Sequence, residues 1–258
     1  MSVNKIFNVE NPRVMLKNSI INLGAATFTK IIAILLIPIY TRILTTDEYG
    51  QMELILILGN FFIVVYPSNL QAALGRMYFD FSNQNRKLKV FISTIIMFVA
   101  ISSIIQLVLY LFIGYFFFGN DNFLNLDFFP FVGLIILASS LRVFLPIVLK
   151  LLQNRGDSIV SSWFSVLYAI IGMLLNILFI VVLKMGIIGF IYAFSITSVI
   201  VFIATFFYLK NDIIFKIDKE IAKEAIAYSF PLLLSNVILF IYQYIDRFIL
   251  AITNSISD

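Results

Sequence analysis

The amino-acid sequence predicts an all-α membrane protein, a polytopic bundle of transmembrane helices whose N-terminus lies in the cytoplasm. Of its 258 residues, 61% are hydrophobic and 12% are charged, whereas soluble domains carry about 25% charged residues. Apolar runs follow one another along the chain, each of about 20 residues or more, the length that a helix needs to cross a bilayer. Lysine and arginine also gather in alternate loops. These three observations together predict seven membrane spans.

The predicted spans are separated by short polar connections. They cover residues 19–44, 51–74, 90–118, 128–149, 159–183, 190–209 and a seventh stretch that starts near 228. A polar tail, 1–17, precedes the first span. Between the sixth and seventh spans, residues 210–227 alternate charged residues with isoleucines. That pattern predicts an amphipathic helix lying at the membrane interface.

The positions of the cations predict the orientation. The N-terminal tail and the loops after even-numbered spans hold most of the 18 lysines and arginines: Lys5, Arg13, Lys17, Arg76, Arg86, Lys87, Lys89, Lys150, Arg155, Lys210, Lys216, Lys219 and Lys223. The opposite side holds Arg42 and Lys184, both at helix ends. Because basic loops remain in the cytoplasm, the N-terminus is predicted to be inside.

The composition argues against several classes of function. The chain contains no cysteine and no histidine, which excludes disulfides, thiol catalysis and Cys/His metal sites. The two carboxylates within spans, Glu53 and Asp246, lie on different spans and give no sign of a metal pair. A membrane transferase that uses carboxylates alone is an alternative, but its usual long loops are missing. The sequence therefore predicts neither an enzyme nor a cofactor, and the net charge of +4 is not a nucleic-acid signal.

Five charged residues within the spans are the strongest candidates for function: Lys30, Glu53, Arg142, Asp246 and Arg247. A lysine near the middle of a span costs about 3 kcal/mol on the insertion scale, so such groups mark functional sites by default. Three cations against two anions leave a cationic excess, which suits an anionic substrate, and arginine binds phosphate oxygens with two parallel hydrogen bonds. The alternatives are ion pairs that only join helices and, for Lys30, a side chain that reaches the interface.

Polar and small residues form stripes on four of the predicted spans when the helices are projected at 100° per residue. The stripe of the second span contains Glu53, Asn60, Pro67 and Gln71, and that of the fifth contains Ser158, Ser162, Ser165, Ala169, Gly172 and Asn176. We predict that the amides on or beside these stripes contact substrate: Asn22, Asn60, Gln71, Asn176, Asn236 and Gln243. Small and hydroxylated residues also line ordinary helix contacts in membranes. A stripe by itself is therefore also compatible with helix packing.

Four short motifs resemble a known family. The first span ends in the sequence PIYTRIL at 38–44, and DEYG follows at 47–50. GIIG occurs at 186–189, and the seventh span contains Pro231 and then DRFIL at 246–250. In this order and spacing, they resemble the polysaccharide-biosynthesis (Wzx-type) flippases of the multidrug/oligosaccharidyl-lipid/polysaccharide exporter superfamily.

The resemblance implies two six-helix lobes that work by alternating access around a central cavity. The substrate would be an undecaprenyl-pyrophosphate-linked oligosaccharide repeat unit, flipped across the bacterial cell membrane for surface polysaccharide biosynthesis. The partners would be this lipid-linked oligosaccharide, membrane lipids, a polysaccharide polymerase and a chain-length regulator. The chain would comprise a cytoplasmic tail (1–17), the first lobe (18–209), a cytoplasmic connector (210–227) and the first helix of a second lobe (228–258), which suggests a fragment.

By analogy, Lys30, Arg142 and Arg247 would contact phosphates or sugar, and Glu53 and Asp246 would balance their charge. One alternative is a cation-coupled exporter of drugs or other small molecules from the same superfamily, with Glu53 or Asp246 as its ion site. Another is a membrane assembly factor that transports nothing. Neutralising Lys30 should abolish flipping, whereas neutralising Glu53 should abolish antiport.

Overall fold

The computed structural model describes residues 12–65, 68–82, 84–118, 132–214 and 216–254. Throughout these ranges the chain is α-helical, apart from connections and one π-helical stretch at Ile177–Val182. The helices are α1 Pro12–Ile43, α2 Thr46–Val65, α3 Leu70–Phe81, α4 Asn85–Phe118, α5 Gly133–Arg142, α6 Phe144–Asn154, α7 Ser158–Asn176, α8 Gly186–Leu209 and α9 Lys219–Asn254.

Seven segments of the described chain are long and apolar enough to cross a membrane, which confirms the predicted bundle of spans. They are Pro12–Ile43, Thr46–Phe81, Asn85–Gly114, Gly133–Asn154, Ser158–Val182, Gly186–Leu209 and Lys219–Asp246. The second segment contains α2 and α3, and the fourth contains α5 and α6. The predicted tail up to residue 11 lies outside the described residues.

The tight connection between α1 and α2 is built by a capping box. The backbone N–H of Thr45 donates to Oε2 of Glu48 at 2.9 Å, and the N–H of Glu48 donates to Oγ1 of Thr45 at 3.2 Å. These reciprocal bonds satisfy N–H groups that a helix start leaves without partners. The chain can therefore reverse direction within a few residues at the membrane surface.

The second span is interrupted, which separates residues that the sequence pattern placed together. Ser68 and Asn69 adopt left-handed backbone conformations, with φ of 48° and 55°, and they lie between the end of α2 and the start of α3. The predicted stripe through Glu53, Asn60 and Gln71 assumed one continuous helix. Because the backbone changes direction here, Gln71 no longer shares a face with the other two. Pro67, another member of that stripe, lies outside the described residues.

The prediction of a separate amphipathic helix over 210–227 is wrong. Residues 211–218 are turns and irregular backbone where they are described, and 219–227 form the first turns of the seventh span, α9. Asp218 fixes this start, because its Oδ1 accepts the backbone N–H groups of Glu220 at 3.0 Å and Ile221 at 3.3 Å. An aspartate in this position caps a helix by satisfying its first donors.

Two hydroxyls on α4 hold the connector in its irregular form. Ser93 Oγ donates to the carbonyl of Ile214 at 3.0 Å, and the N–H of Asp218 donates to Thr94 Oγ1 at 3.1 Å. Ser93 and Thr94 are both fully buried. The backbone of Ile214 and of Asp218 is therefore anchored to α4.

The side chains pack into two apolar clusters. One lies mainly among α3, α4 and α6 and includes the fully buried Leu74, Phe91 and Leu151. The other joins α1, α2 and α8 around Ile55 and Ile191. α7 packs along α1, α5 packs against α8, and α9 packs against α2, α3 and α4. A cavity with a few polar groups in its wall lies beside the second cluster.

Candidate functional site: an intramembrane cavity

A cavity of about 560 Å³ lies between α1, α2, α7 and α8, with α5 and α6 closing one wall. Its volume falls within the range of about 300–1,000 Å³ that is typical of small-molecule sites. Most of the wall is apolar, and a limited set of side chains brings polar groups to it: Thr29, Tyr40, Tyr49, Glu53, Asn60, Arg142, Ser165, Tyr168, Asn176 and Thr197. All of these residues belong to membrane-spanning segments.

Arg142 is the cation of this cavity, at the last residue of α5 where the fourth span bends into α6. Its guanidinium carbon lies 4.5 Å from the ring centroid of Tyr168 on α7 and 5.4 Å from that of Phe194 on α8. Aromatic faces attract a cation through their quadrupole. Unlike a carboxylate, they do not neutralise its charge, so the guanidinium keeps its positive charge for an anionic ligand.

Asn176 presents a hydrogen-bond acceptor that the protein leaves unused. Its Nδ2 donates to the carbonyl of Gly172 at 2.7 Å, whereas Oδ1 is buried and has no hydrogen-bond partner in the described part of the chain. Leaving a buried acceptor unsatisfied costs about 1–3 kcal/mol. The position therefore suits the hydroxyl or amide donor of a bound molecule.

Glu53 and Asn60 are seven residues apart on α2, which places them on one face of the helix, and both line the cavity. Neighbouring Gly59 allows α8 to approach closely, because a Cβ at this position would lie 3.2 Å from Cζ of Phe194. Ser139 on α5 reinforces the contact by donating to the Gly59 carbonyl at 3.4 Å. The small residue thus keeps Phe194 in position beside Arg142.

The formal charges in this cavity balance, because the ion-forming carboxyl and guanidinium groups among its described lining residues are Glu53 and Arg142. The sequence predicted a cationic excess that included Lys30. That side chain is exposed, although Thr29 and Ala33 on either side of it line the cavity. A helix turns 100° per residue, so adjacent residues face different surroundings.

Two of the predicted amides lie elsewhere and have partners within the protein. Asn22 joins α1 to α7, donating to Ser158 Oγ at 3.5 Å and accepting from Ser162 Oγ at 3.3 Å. Gln71 donates to Asn69 Oδ1 at 2.9 Å, while its own Oε1 is buried without a partner among the described residues. The bonds of Asn22 are those of a helix contact.

Among the predicted site residues of the seventh span, those with described side chains do not line the cavity. Asn236 is partly buried on α9, and Gln243 and Asp246 are exposed. The side chain of Arg247 lies outside the described residues. The structure thus brings together Glu53, Asn60, Arg142 and Asn176 from the predicted set.

The two rings that hold Arg142 are not among the site residues predicted from the sequence. Tyr168 lies next to Ala169 and three residues after Ser165, both of which belong to the small and polar stripe of the fifth span. That proximity was a usable signal. Phe194 gives no such signal, because a phenylalanine in an apolar span is equally expected to face lipid or other helices.

A bundle of membrane-spanning helices around a largely apolar cavity with a few polar groups defines the class of protein: a polytopic membrane protein. Residues 15–258 match the family described as "Polysaccharide biosynthesis protein". The chain belongs to this family, which confirms the resemblance seen in the sequence motifs. Among curated proteins, none matches the sequence significantly.

Solved structures of transporters share the fold. A MOP superfamily transporter from Pyrococcus furiosus, described by the reverse polarity of its binding pocket, superimposes with a TM-score of 0.65 and 17% identity over 87% of this chain and 52% of its own. A MATE in complex with Br-NRF superimposes with a TM-score of 0.70 and 16% identity, over 95% of this chain and 59% of its own. An outward-facing multidrug resistance MATE family transporter superimposes with a TM-score of 0.63 and 17% identity, over 87% of this chain and 52% of its own. The chain thus spans between half and three fifths of the length of these proteins.

Proposed function

We propose that this chain forms the first lobe of a transporter that flips undecaprenyl-pyrophosphate-linked oligosaccharide repeat units across the bacterial cell membrane. The observation that carries the proposal is the match to the polysaccharide biosynthesis family over 15–258. The transporter fold and the intramembrane cavity support it. A polysaccharide polymerase and a chain-length regulator are the partners that would act on the flipped product.

Arg142 is the group that we assign to the anionic part of the substrate. A guanidinium offers several N–H donors in a plane that matches two oxygens of a phosphate or carboxylate. Its contacts with Tyr168 and Phe194 hold it without neutralising its charge. Within a largely apolar cavity, its attraction for an anion is stronger than it would be in water.

Asn60 and Asn176 provide the polar contacts that a sugar requires. Sugar hydroxyls donate and accept hydrogen bonds, and the unpaired Oδ1 of Asn176 accepts one. Glu53 on the same wall balances the charge of Arg142 when the cavity holds no substrate. An arriving pyrophosphate would then shift the net charge of the cavity from neutral to negative.

Leaflet labelling of lipid-linked intermediates tests this function. Cells lacking the full-length gene should accumulate complete repeat units on the cytoplasmic face, and the wild-type gene should relieve the accumulation. Arg142→Gln should reduce flipping about 10- to 100-fold, because it removes a hydrogen bond to a charged group worth about 1.5–3 kcal/mol. Lys30→Gln is the matched control, since it removes one cation from the exposed side of α1.

Two results would contradict the proposal: no build-up of a lipid-linked glycan in the deletion strain, or normal flipping by Arg142→Gln. Full activity of Arg142→Lys would show that a point charge suffices and that the planar fork does not matter. Loss of flipping by Lys30→Gln alone would instead move the site to the exposed face of α1 that carries Lys30.

Cation-coupled export of a small molecule is the second candidate, and the position of Glu53 favours it. A carboxylate within a membrane cavity is a natural site for a proton or a metal cation, and Glu53 lines the cavity. Under this function Glu53→Gln abolishes ion-coupled uptake or export, whereas Arg142→Gln is tolerated. Transport measured in vesicles with and without an imposed ion gradient separates the two candidates.

A further inference from the structure

An open, apolar groove of about 640 Å³ follows the N-terminal part of α9 where it passes α4. Phe98 of α4 forms one side, and Ile226 and Phe230 of α9 form the other. The cations among the described residues that line the groove are Lys219 and Lys223, in the first turns of α9. The groove therefore combines an apolar channel with a positively charged entrance, and it shares no lining residue with the cavity of Arg142.

The two lysines share one face of the helix because they are four residues apart, and both are exposed. Glu220 and Glu224 each follow one position later, about 100° around the helix. Neither glutamate is among the residues that line the groove. The entrance is thus cationic, although the helix turn that carries it has two charges of each sign.

The depth of the groove in the membrane follows from the predicted orientation. The basic connector places the start of α9 at the cytoplasmic surface, and residues 225–245 carry no charged side chain. Lys219 and Lys223 therefore lie at the level of lipid headgroups. Phe230 lies about 10 Å deeper, since a helix rises about 1.5 Å per residue, and is level with acyl chains.

We infer that this groove binds one anionic phospholipid of the cytoplasmic leaflet. Its phosphate and headgroup pair with Lys219 and Lys223, and one acyl chain lies along Ile226 and Phe230 against Phe98. A zwitterionic lipid fills the same channel but gains less from the lysines, because its headgroup carries no net charge. Each basic residue near an anionic lipid favours binding by about five-fold.

Quenching of tryptophan fluorescence by brominated lipids tests the site in the purified chain reconstituted in bilayers. The chain has one tryptophan, Trp163, which is 59% exposed near the cytoplasmic end of α7. It serves as the reporter of ordinary surrounding lipid. Phe230→Trp in a Trp163→Phe background places the reporter in the groove, where the native side chain is 55% exposed.

We expect brominated phosphatidylglycerol to bind beside Phe230→Trp at least about five-fold more strongly than brominated phosphatidylcholine. At Trp163 the two lipids should bind almost equally. Adding Lys219→Gln and Lys223→Gln should bring the ratio at the groove close to one. Arg86→Gln with Lys87→Gln is the matched control, since it removes two exposed cations at the start of α4 that do not line the groove.

Three results would overturn the inference. Equal binding of both lipids at Phe230→Trp would show an apolar surface without headgroup selection. The same preference at Trp163, or one that survives replacement of both lysines, would show attraction to the whole protein surface. Quenching by neither lipid at Phe230→Trp would show that protein, such as a second copy of the chain, covers the groove. Size-exclusion profiles identical to that of the parent confirm that each variant is folded.

Discussion

Two arginines, one near the middle of the fourth transmembrane segment and one just after its end, show how differently this protein treats buried charge. Arg155, just after α6, donates from Nη2 to Oδ1 of Asp212 at 2.6 Å and from Nη1 to the hydroxyl of Tyr208 at 3.0 Å. Arg142, at the end of α5, contacts the rings of Tyr168 and Phe194. The first arginine is matched by an anion, and the second is held in place by aromatic faces.

The environment of Arg155 fixes its charge. Burial lowers the pKa of Arg155, but the hydrogen bond and the negative charge of Asp212 outweigh burial and raise that pKa above its ordinary value. The guanidinium therefore stays protonated at every accessible pH. It ties the loop after α6 to the connector that follows α8, which is a structural role.

Two asparagines repeat this contrast. Asn154, at the end of α6, donates to the carbonyl of Leu74 on α3 at 2.9 Å and joins two helices. Asn176, in the cavity, keeps its buried Oδ1 without a partner in the described part of the chain. The donor of Asn154 is thus used within the protein, whereas the acceptor of Asn176 is not. For these two residues, the difference separates a helix contact from a candidate ligand contact.

The largest expected effect on stability is at Arg155, in the connection between α6 and α7. Arg155→Ala should lower the free energy of unfolding by about 3 kcal/mol, because it leaves the carboxylate of Asp212, 14% exposed, without its charge partner. The measurement is unfolding in mixed detergent micelles, followed by Trp163 fluorescence. Adding Asp212→Asn should recover part of the loss, since the unpaired charge is then removed. An unchanged unfolding transition in Arg155→Ala would show that the ion pair does not contribute to stability.

Replacement by leucine should have different effects on the free energy of unfolding at Asn154 and at Asn176. Asn154→Leu should cost about 1–2 kcal/mol, because it removes a buried hydrogen bond between helices. Asn176→Leu should be neutral or stabilising by up to about 1 kcal/mol, because leucine is similar in size to asparagine and removes an unsatisfied buried acceptor. The same unfolding assay compares them. A cost at Asn176 equal to that at Asn154 would remove the distinction between the two regions.

The aromatic support of Arg142 should be measurable as a coupling energy. Tyr168→Leu and Arg142→Met, singly and together, should give a coupling of about 1 kcal/mol in unfolding experiments, the size of a partly desolvated cation–π contact. Tyr168→Phe is the control, because it keeps the ring and should keep most of the coupling. Full loss in Tyr168→Phe would assign the interaction to the hydroxyl instead.

The smallest effect is expected at Lys30. Because this side chain is exposed, Lys30→Gln should change the free energy of unfolding by less than about 0.5 kcal/mol. The measurement compares the unfolding midpoint of Lys30→Gln with that of Arg142→Gln. A loss comparable to that of Arg155→Ala would mean that Lys30 has a buried partner after all.

The sequence by itself determined the membrane class, the seven spans and the family, because these depend on composition, on apolar run length and on motif order. It also selected Glu53, Asn60, Arg142 and Asn176, since a charge or an amide within a span is conspicuous wherever it lies. Helix ends shifted by a few residues, because hydrophobicity fades gradually at the interface while capping groups such as Asp218 end or begin a helix sharply.

Only the tertiary structure decided which of the candidates share one cavity. Lys30 and Thr29 are neighbours in sequence, but the helix turns one outward and the other into the cavity. The break at Ser68 and Asn69 removed Gln71 from the face of Glu53. Tyr168 and Phe194 became site residues because two other helices bring their rings to Arg142. A helical projection shows on which face of one helix a residue lies, whereas a site depends on how several helices pack together.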